Sequence, residues 1–174
     1  ARPVSGIMVY AKNPKAAASL STSLQQGKIE KWYQAVICGK PVDNNGTYVD
    51  YLKQDKKNNC SRIVDKSDPE SKRAELEYKV LDCIQTEEKD PQYLSLVEIK
   101  LLTGRHHQIR VQFSGHGTPL YGDGKYGNNE KAVRKSLALC ACHLKFKHPA
   151  TGKIMDFQIK PDTGAFKLFS KSND

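Results

Sequence analysis

No apolar run in these 174 residues approaches the roughly 20 needed to cross a bilayer as a helix. The five cysteines (Cys38, Cys60, Cys83, Cys140 and Cys142) are odd in number and scattered. They predict reduced core thiols in the cytoplasm rather than a disulfide framework. No internal repeat and no low-complexity tract breaks the chain, which argues against solenoids and tails. No glycine loop runs into a helix to cradle phosphates, and no cluster has metal-ligand spacing, so neither a nucleotide cofactor nor a metal is expected. Acidic residues are scarce: 19 stand against 28 lysines and arginines, for a net charge of +9. That balance points to a polyanionic partner, nucleic acid before an acidic membrane surface. No segment singles out an obligate protein partner.

Apolar periodicity supplies the elements. Ile7-Met8-Val9-Tyr10 is a continuous apolar run, which predicts a buried strand over residues 6–11. Asn13-Pro14 offers an N-cap and a first-turn proline for a helix over residues 15–26, closed by Gly27. Its apolar stripe is Ala17, Leu20 and Leu24. Residues 32–38 predict a second strand. Residues 43–73 are polar, with strand-like character only at 48–52 and 62–64, and predict short strands at a sheet edge. Period-2 alternation over 74–84 and 93–102, around the turn Glu87-Glu88-Lys89-Asp90-Pro91, predicts an antiparallel hairpin. A short helix over 106–114 follows, then a glycine-dense loop ordered by its aromatics, then a closing hairpin of residues 137–146 and 153–159. The fold class expected is α+β: a mostly antiparallel mixed sheet with few helices, residues 1–174 forming one domain.

The stretch Thr103-Gly104-Arg105-His106-His107-Gln108-Ile109-Arg110 is the most informative in the chain. A glycine lets the backbone leave the preceding strand abruptly, and Arg105 is thereby aimed into a cleft. His106 and His107 are adjacent and, on a helix, would face about 100° apart, which excludes joint chelation. Cys140-Ala141-Cys142-His143, with His148 nearby, superficially suggests zinc. On a regular strand, though, the two cysteines face one way and His143 the other, and zinc is rejected.

The same stretch resembles the signature of the RluA-type pseudouridine synthases, and three further stretches follow that family's order. These are Arg2-Pro3-Val4-Ser5-Gly6 leading into Val9-Tyr10-Ala11-Lys12-Asn13, then Glu30-Lys31-Trp32-Tyr33-Gln34-Ala35, and Gly122-Asp123-Gly124-Lys125-Tyr126-Gly127 followed by Phe146-Lys147-His148-Pro149. The resemblance implies isomerisation of uridine to pseudouridine in ribosomal or transfer RNA, with no cofactor. It implies that Tyr33 packs on the target uracil and is suited to take its C5 proton, and that Arg105 pairs with a nucleophilic aspartate. Ile109 would line the pocket beneath the base. His107 and Gln108 would hydrogen-bond backbone or RNA, and Arg2, Lys31 and Arg110 would contact RNA together with Lys28, Lys125, Lys131, Arg134 and Lys135. Tyr33 and Arg2 are the candidates beside a flipped base.

The chain departs from the family pattern at one decisive position. Counting back from Ser5-Gly6 puts the aspartate where Ala1 stands. A methyl group cannot attack an anomeric carbon, so the chain as written should be inactive. Two readings stay open. In one, Ala1 marks a truncation and sequence upstream is missing, the resemblance covering only the later three-quarters of a catalytic domain. In the other, the protein is a non-catalytic binder of structured RNA.

Overall fold

The computed structural model describes residues 4–86, 92–127 and 136–169. Ala1, Arg2, the turn at residues 87–91, Lys131, Arg134 and Lys135 lie outside the described residues. Within them one eight-stranded sheet runs in the order β1-β7-β2-β6-β5-β3-β4, with β8 also paired to β7. The strands are β1 (Ser5–Gly6), β2 (Glu30–Cys38), β3 (Asn45–Asp55), β4 (Cys60–Val64), β5 (Lys72–Gln85), β6 (Tyr93–Leu101), β7 (Leu139–Lys147) and β8 (Ile154–Gln158). Helices α1 (Pro14–Gln25) and α2 (Gln108–Gly115) and a 3-10 helix, Gly164–Phe169, complete the set. Every pairing is antiparallel except that of β1 with β7. The fold is therefore α+β on a mixed, mostly antiparallel sheet. No described helix is long and apolar enough to cross a membrane.

Strand β2 is central because Ala35, Val36 and Ile37 are all fully buried, one after another. Neighbouring side chains on a strand point to opposite faces, so such a run requires both faces to be covered. Ala35 and Ile37 join Val97, Ile99, Leu76 and Tyr78 beneath Ile109 and Phe113 of α2. Val36 joins Leu94, Ala138 and Cys140 beneath Phe166 and Phe169 of the 3-10 helix. That short helix was not foreseen: two phenylalanines three residues apart in six residues carry too little periodicity to read. The five thiols form no disulfide.

The expected strand over residues 6–11 is corrected. Only Ser5 and Gly6 pair, beside Cys140 and Ala141. One step further along the same edge of β7, β8 takes over from His143 to Lys147, so β1 has no edge left to extend along. Ile7 and Val9 still pack on Leu144 and Phe146, while Met8 and Tyr10 are 69% and 79% exposed. Gly6 is obligatory here: its φ is +134°, and any side chain would run into Ala141.

Helix α1 is capped as its sequence implies, the Asn13 side chain accepting from Ala16 N–H at 2.8 Å and Gly27 turning left-handed at φ +67°. No residue of the helix is buried, Leu20 is only partly covered, and Leu24 is half exposed. Leu20 and Leu24 of its apolar stripe form the wall of a cleft. The edge hairpin is longer than expected, β3 and β4 pairing from Tyr51–Val64 to Asp55–Cys60.

Candidate active site

Between β1, α1, the middle of the sheet and the start of α2 lies a cleft of about 640 Å³. Lys31, Tyr33, Arg105, His107, Gln108, Ile109 and Arg110 all line it. These expected site residues are therefore brought to one place, whereas Lys28 and Lys125 do not line the cleft and Arg2 lies outside the described residues. The floor is β2, whose Tyr33 stands opposite Ile99 on one side and Ala141 on the other. A register shift between Trp32 and Tyr33 bulges β7 at that point. Bulges re-aim side chains, and this one reverses the alternation along β7. His143 is thus brought to Trp32, where their rings stack 4.1 Å apart, and it bonds Asp156 at 2.8 Å. The facing argument used against zinc fails at this bulge. Even so, no group of three His, Cys, Asp or Glu side chains suited to a metal occurs among the described residues.

Arg105 sits on the turn ahead of α2, exposed, with Nε donating to the Arg73 carbonyl at 2.9 Å. Among the described residues no carboxylate pairs with it. Its turn is held by Gln108, 3% exposed, whose Oε1 accepts from the Arg105 N–H and the Thr103 hydroxyl at 2.9 and 2.8 Å. Gln108 Nε2 donates to the Glu75 carbonyl at 3.0 Å. Its carboxamide is thus spent on the scaffold, not turned to a ligand.

Arg110 is likewise committed. Its Nε and Nη2 donate to Asp123 Oδ2 and Oδ1 at 2.8 and 2.7 Å, and its guanidinium lies over the Tyr126 ring. Asp123 is 1% exposed and also accepts from the backbone N–H groups of Lys125 and Tyr126. Burial pushes its carboxyl up, but these donors outweigh burial and hold it below the usual aspartate value.

The helix expected over 106–114 begins two residues later, and the two histidines are in the turn before it. His107 is left-handed at φ +53°, and the rings of His106 and His107 lie 3.8 Å apart. They therefore do not diverge as helical neighbours would. His107 Nδ1 meets the Tyr126 hydroxyl at 2.8 Å. Burial, then Arg110, His106 and Lys125, lower its pKa to about 4. Burial also lowers Lys31 and, first among causes, raises the Tyr33 phenol, with Cys142 adding to the latter. Tyr33 is therefore protonated at neutral pH.

A family model described as RNA pseudouridylate synthase matches residues 2–115. The chain belongs to that family. It is 34% identical over 167 residues to the ribosomal large subunit pseudouridine synthase D of Zymomonas mobilis, covering 91% of this chain and 50% of that protein. It is 30% identical over 160 residues to the ribosomal large subunit pseudouridine synthase C of Rickettsia bellii, covering 91% and 51%. The chain spans about half the length of these curated relatives. The human RNA pseudouridylate synthase domain containing 1 superposes with a TM-score of 0.71 at 24% identity, over 87% of this chain and 62% of that one. That likeness bears on the fold. Relatives and motifs together place the chain in the RluA-type pseudouridine synthase family.

Sequence reasoning missed the supports of this family site. Leu139 and Ala141 of β7 and the α1 wall escaped because a strand's partners are not visible locally. Asp123 and Tyr126 lay in a motif already noted for its resemblance, yet no role was assigned to them. Ser61 carried no signal at all.

Proposed function

We propose that the cleft receives a uridine turned out of folded ribosomal or transfer RNA, and that the chain is the core of a cofactor-independent pseudouridine synthase of the cytoplasm. The observation that carries this reading is the convergence on one cleft of Lys31, Tyr33, Arg105 and Ile109, residues separated by up to 78 positions in sequence. Residues 1–174 would form the later three-quarters of a single catalytic domain.

The reaction is an isomerisation. The C1′–N1 bond breaks, uracil rotates, C5 bonds to C1′, the C5 proton leaves and N1 takes up a proton. No electron is gained or lost. An aspartate at position 1 would bond to C1′ as the C1′–N1 bond breaks and be released as C5 bonds to C1′, and Arg105 would keep that carboxylate ionised and oriented. Tyr33 would pack against the base. Because burial raises its phenol, the C5 proton departs more readily through water than to Tyr33 itself. Ile109, 5% exposed, would keep water from the underside of the ring. Unstacking a uridine costs a few kcal/mol, offset by this packing and by Lys31, Arg105 and Lys125 at the phosphates.

With Ala1 in place the chain would bind and not turn over. That observation favours the second reading, a structured-RNA-binding pseudo-enzyme, equally well. Both require binding in this cleft. Filter binding of transfer and ribosomal RNA tests it: affinity should fall steeply with salt, and Arg105→Ala should weaken it roughly tenfold. Salt-independent binding, or binding indifferent to Arg105→Ala, would contradict both.

A further inference from the structure

Ser61 is a buried polar residue on β4, the outermost strand, far in sequence from the histidines it serves. Its hydroxyl meets His106 Nδ1 at 2.8 Å. Its backbone N–H donates to the Tyr126 hydroxyl at 2.9 Å, and that hydroxyl meets His107 Nδ1 at 2.8 Å. The directions of these bonds follow from chemistry. His106 Nε2 faces the Asn59 side-chain oxygen Oδ1 at 3.1 Å, which only accepts, so Nε2 carries the proton and Nδ1 accepts from Ser61. Tyr126 already accepts from Ser61, so its single proton goes to His107 Nδ1, which must be bare. Were Nδ1 protonated, the Tyr126 oxygen would accept twice and its own proton would have no hydrogen-bond acceptor among the described residues.

The proton of neutral His107 is therefore on Nε2, on the ring edge turned away from Tyr126, and His107 lines the cleft. Burial first, then Arg110 from α2, His106 beside it and Lys125 from the glycine-rich loop, disfavours a cation on the ring, and Asp123 favours one. We propose that Ser61 and Tyr126 are positioning residues that hold His107 as the neutral Nε2–H tautomer, a hydrogen-bond donor to an acceptor oxygen of the bound uridine nucleotide. The donor half rests on the uridine reading above; the tautomer half does not. A neutral donor next to Lys31 and Arg105 grips an oxygen without adding a further positive charge to a crowded pocket. The acceptor is a phosphate oxygen or a uracil carbonyl.

Long-range proton–nitrogen NMR of the chain isotope-labelled at its five histidines tests both halves. At neutral pH, His107 should show a bare Nδ1 and a protonated Nε2. Tyr126→Phe removes the donor to Nδ1 and should shift His107 toward a mixture of tautomers with a higher titration midpoint. A protonated Nδ1 in the wild type, or an unchanged His107 in a folded Tyr126→Phe, overturns the proposal. The tautomer is read in the unaltered chain, so a variant that fails to fold leaves the test standing.

Titration with uridine 5′-monophosphate, uridine and inorganic phosphate then reads the donor. A shift at His107 Nε2 with uridine identifies a carbonyl acceptor, and a shift with the monophosphate and phosphate only identifies the phosphate. Binding that leaves Nε2 unmoved overturns the donor half, while absence of any binding, with the tautomer as expected, overturns the uridine reading instead. His107→Gln places an N–H donor near the Nε2 position and should hold monophosphate affinity within about threefold. His107→Asn, which mimics the Nδ1 side, should lose roughly tenfold or more.

Discussion

Arg110 and Asp123 meet fork to fork, two parallel bonds of 2.8 and 2.7 Å joining helix α2 to the glycine-rich loop. Breaking a buried pair from one side leaves the other charge uncompensated. Asp123→Asn should therefore cost about 3–5 kcal/mol of stability, read as a lower urea midpoint with unchanged m-value. Replacing both residues by apolar ones of similar size should cost much less than the single change.

Acid should loosen the site before it unfolds the sheet. His107 has its pKa lowered to about 4, against 6.5 for an ordinary histidine. Between those values the unfolded chain binds a proton that the folded chain refuses, so stability falls as pH drops from 6.5 toward 4. Asp123, held below its usual value, adds a further loss at lower pH as its carboxylate is protonated. Urea midpoints along this range should decline from neutrality, and Tyr126→Phe, by raising the folded-state pKa of His107, should flatten the lower part of the decline. A midpoint constant down to pH 4 would contradict the assignment.

Gly6→Ala should detach β1. Its φ of +134° and the contact with Ala141 leave no room for a methyl group, and left-handed strain costs about 1–2 kcal/mol even without a clash. Amide exchange at Ile7, which donates to the Ala141 carbonyl at 2.8 Å, should accelerate while exchange along β2 and β6 stays slow.

Gln108→Leu should keep the shape of the turn but strand its donors. The Arg105 N–H would lose its acceptor, and the Thr103 hydroxyl would keep only its longer bond to the Glu75 carbonyl at 3.3 Å, at a total cost of about 1–3 kcal/mol. Weaker binding of uridine 5′-monophosphate should accompany the lower stability, since Arg105 is aimed by that turn.

The long alternating segments were legible because their chemistry is local. Val97-Glu98-Ile99-Lys100-Leu101 alternates within β6, and Asn13-Pro14 announces α1 to within a residue. The run Ile7-Met8-Val9-Tyr10 misled because apolar content says nothing about whether a partner edge is vacant, and here β8 occupies it. Residues 106–107 looked helical because the left-handed turn of His107 has no signature in a non-glycine residue. Within the site, Lys31, Tyr33, Arg105, His107, Gln108, Ile109 and Arg110 line one cleft. What could not be read was which of them face inward to the scaffold: Gln108 and Arg110 look like RNA ligands in sequence, and only their partners, Glu75 and Asp123, reveal otherwise.

Release of tritium from ribosomal and transfer RNA labelled at C5 of uridine tests the central claim, that this cleft isomerises uridine through a carboxylate at position 1 governed by Arg105. The chain with Ala1 should release none, and Ala1→Asp should release tritium, although below the rate of a complete relative. Adding Arg105→Ala to it should lower release by roughly a hundredfold or more. Equal release from the Ala1 chain, or release indifferent to Arg105, would contradict the account.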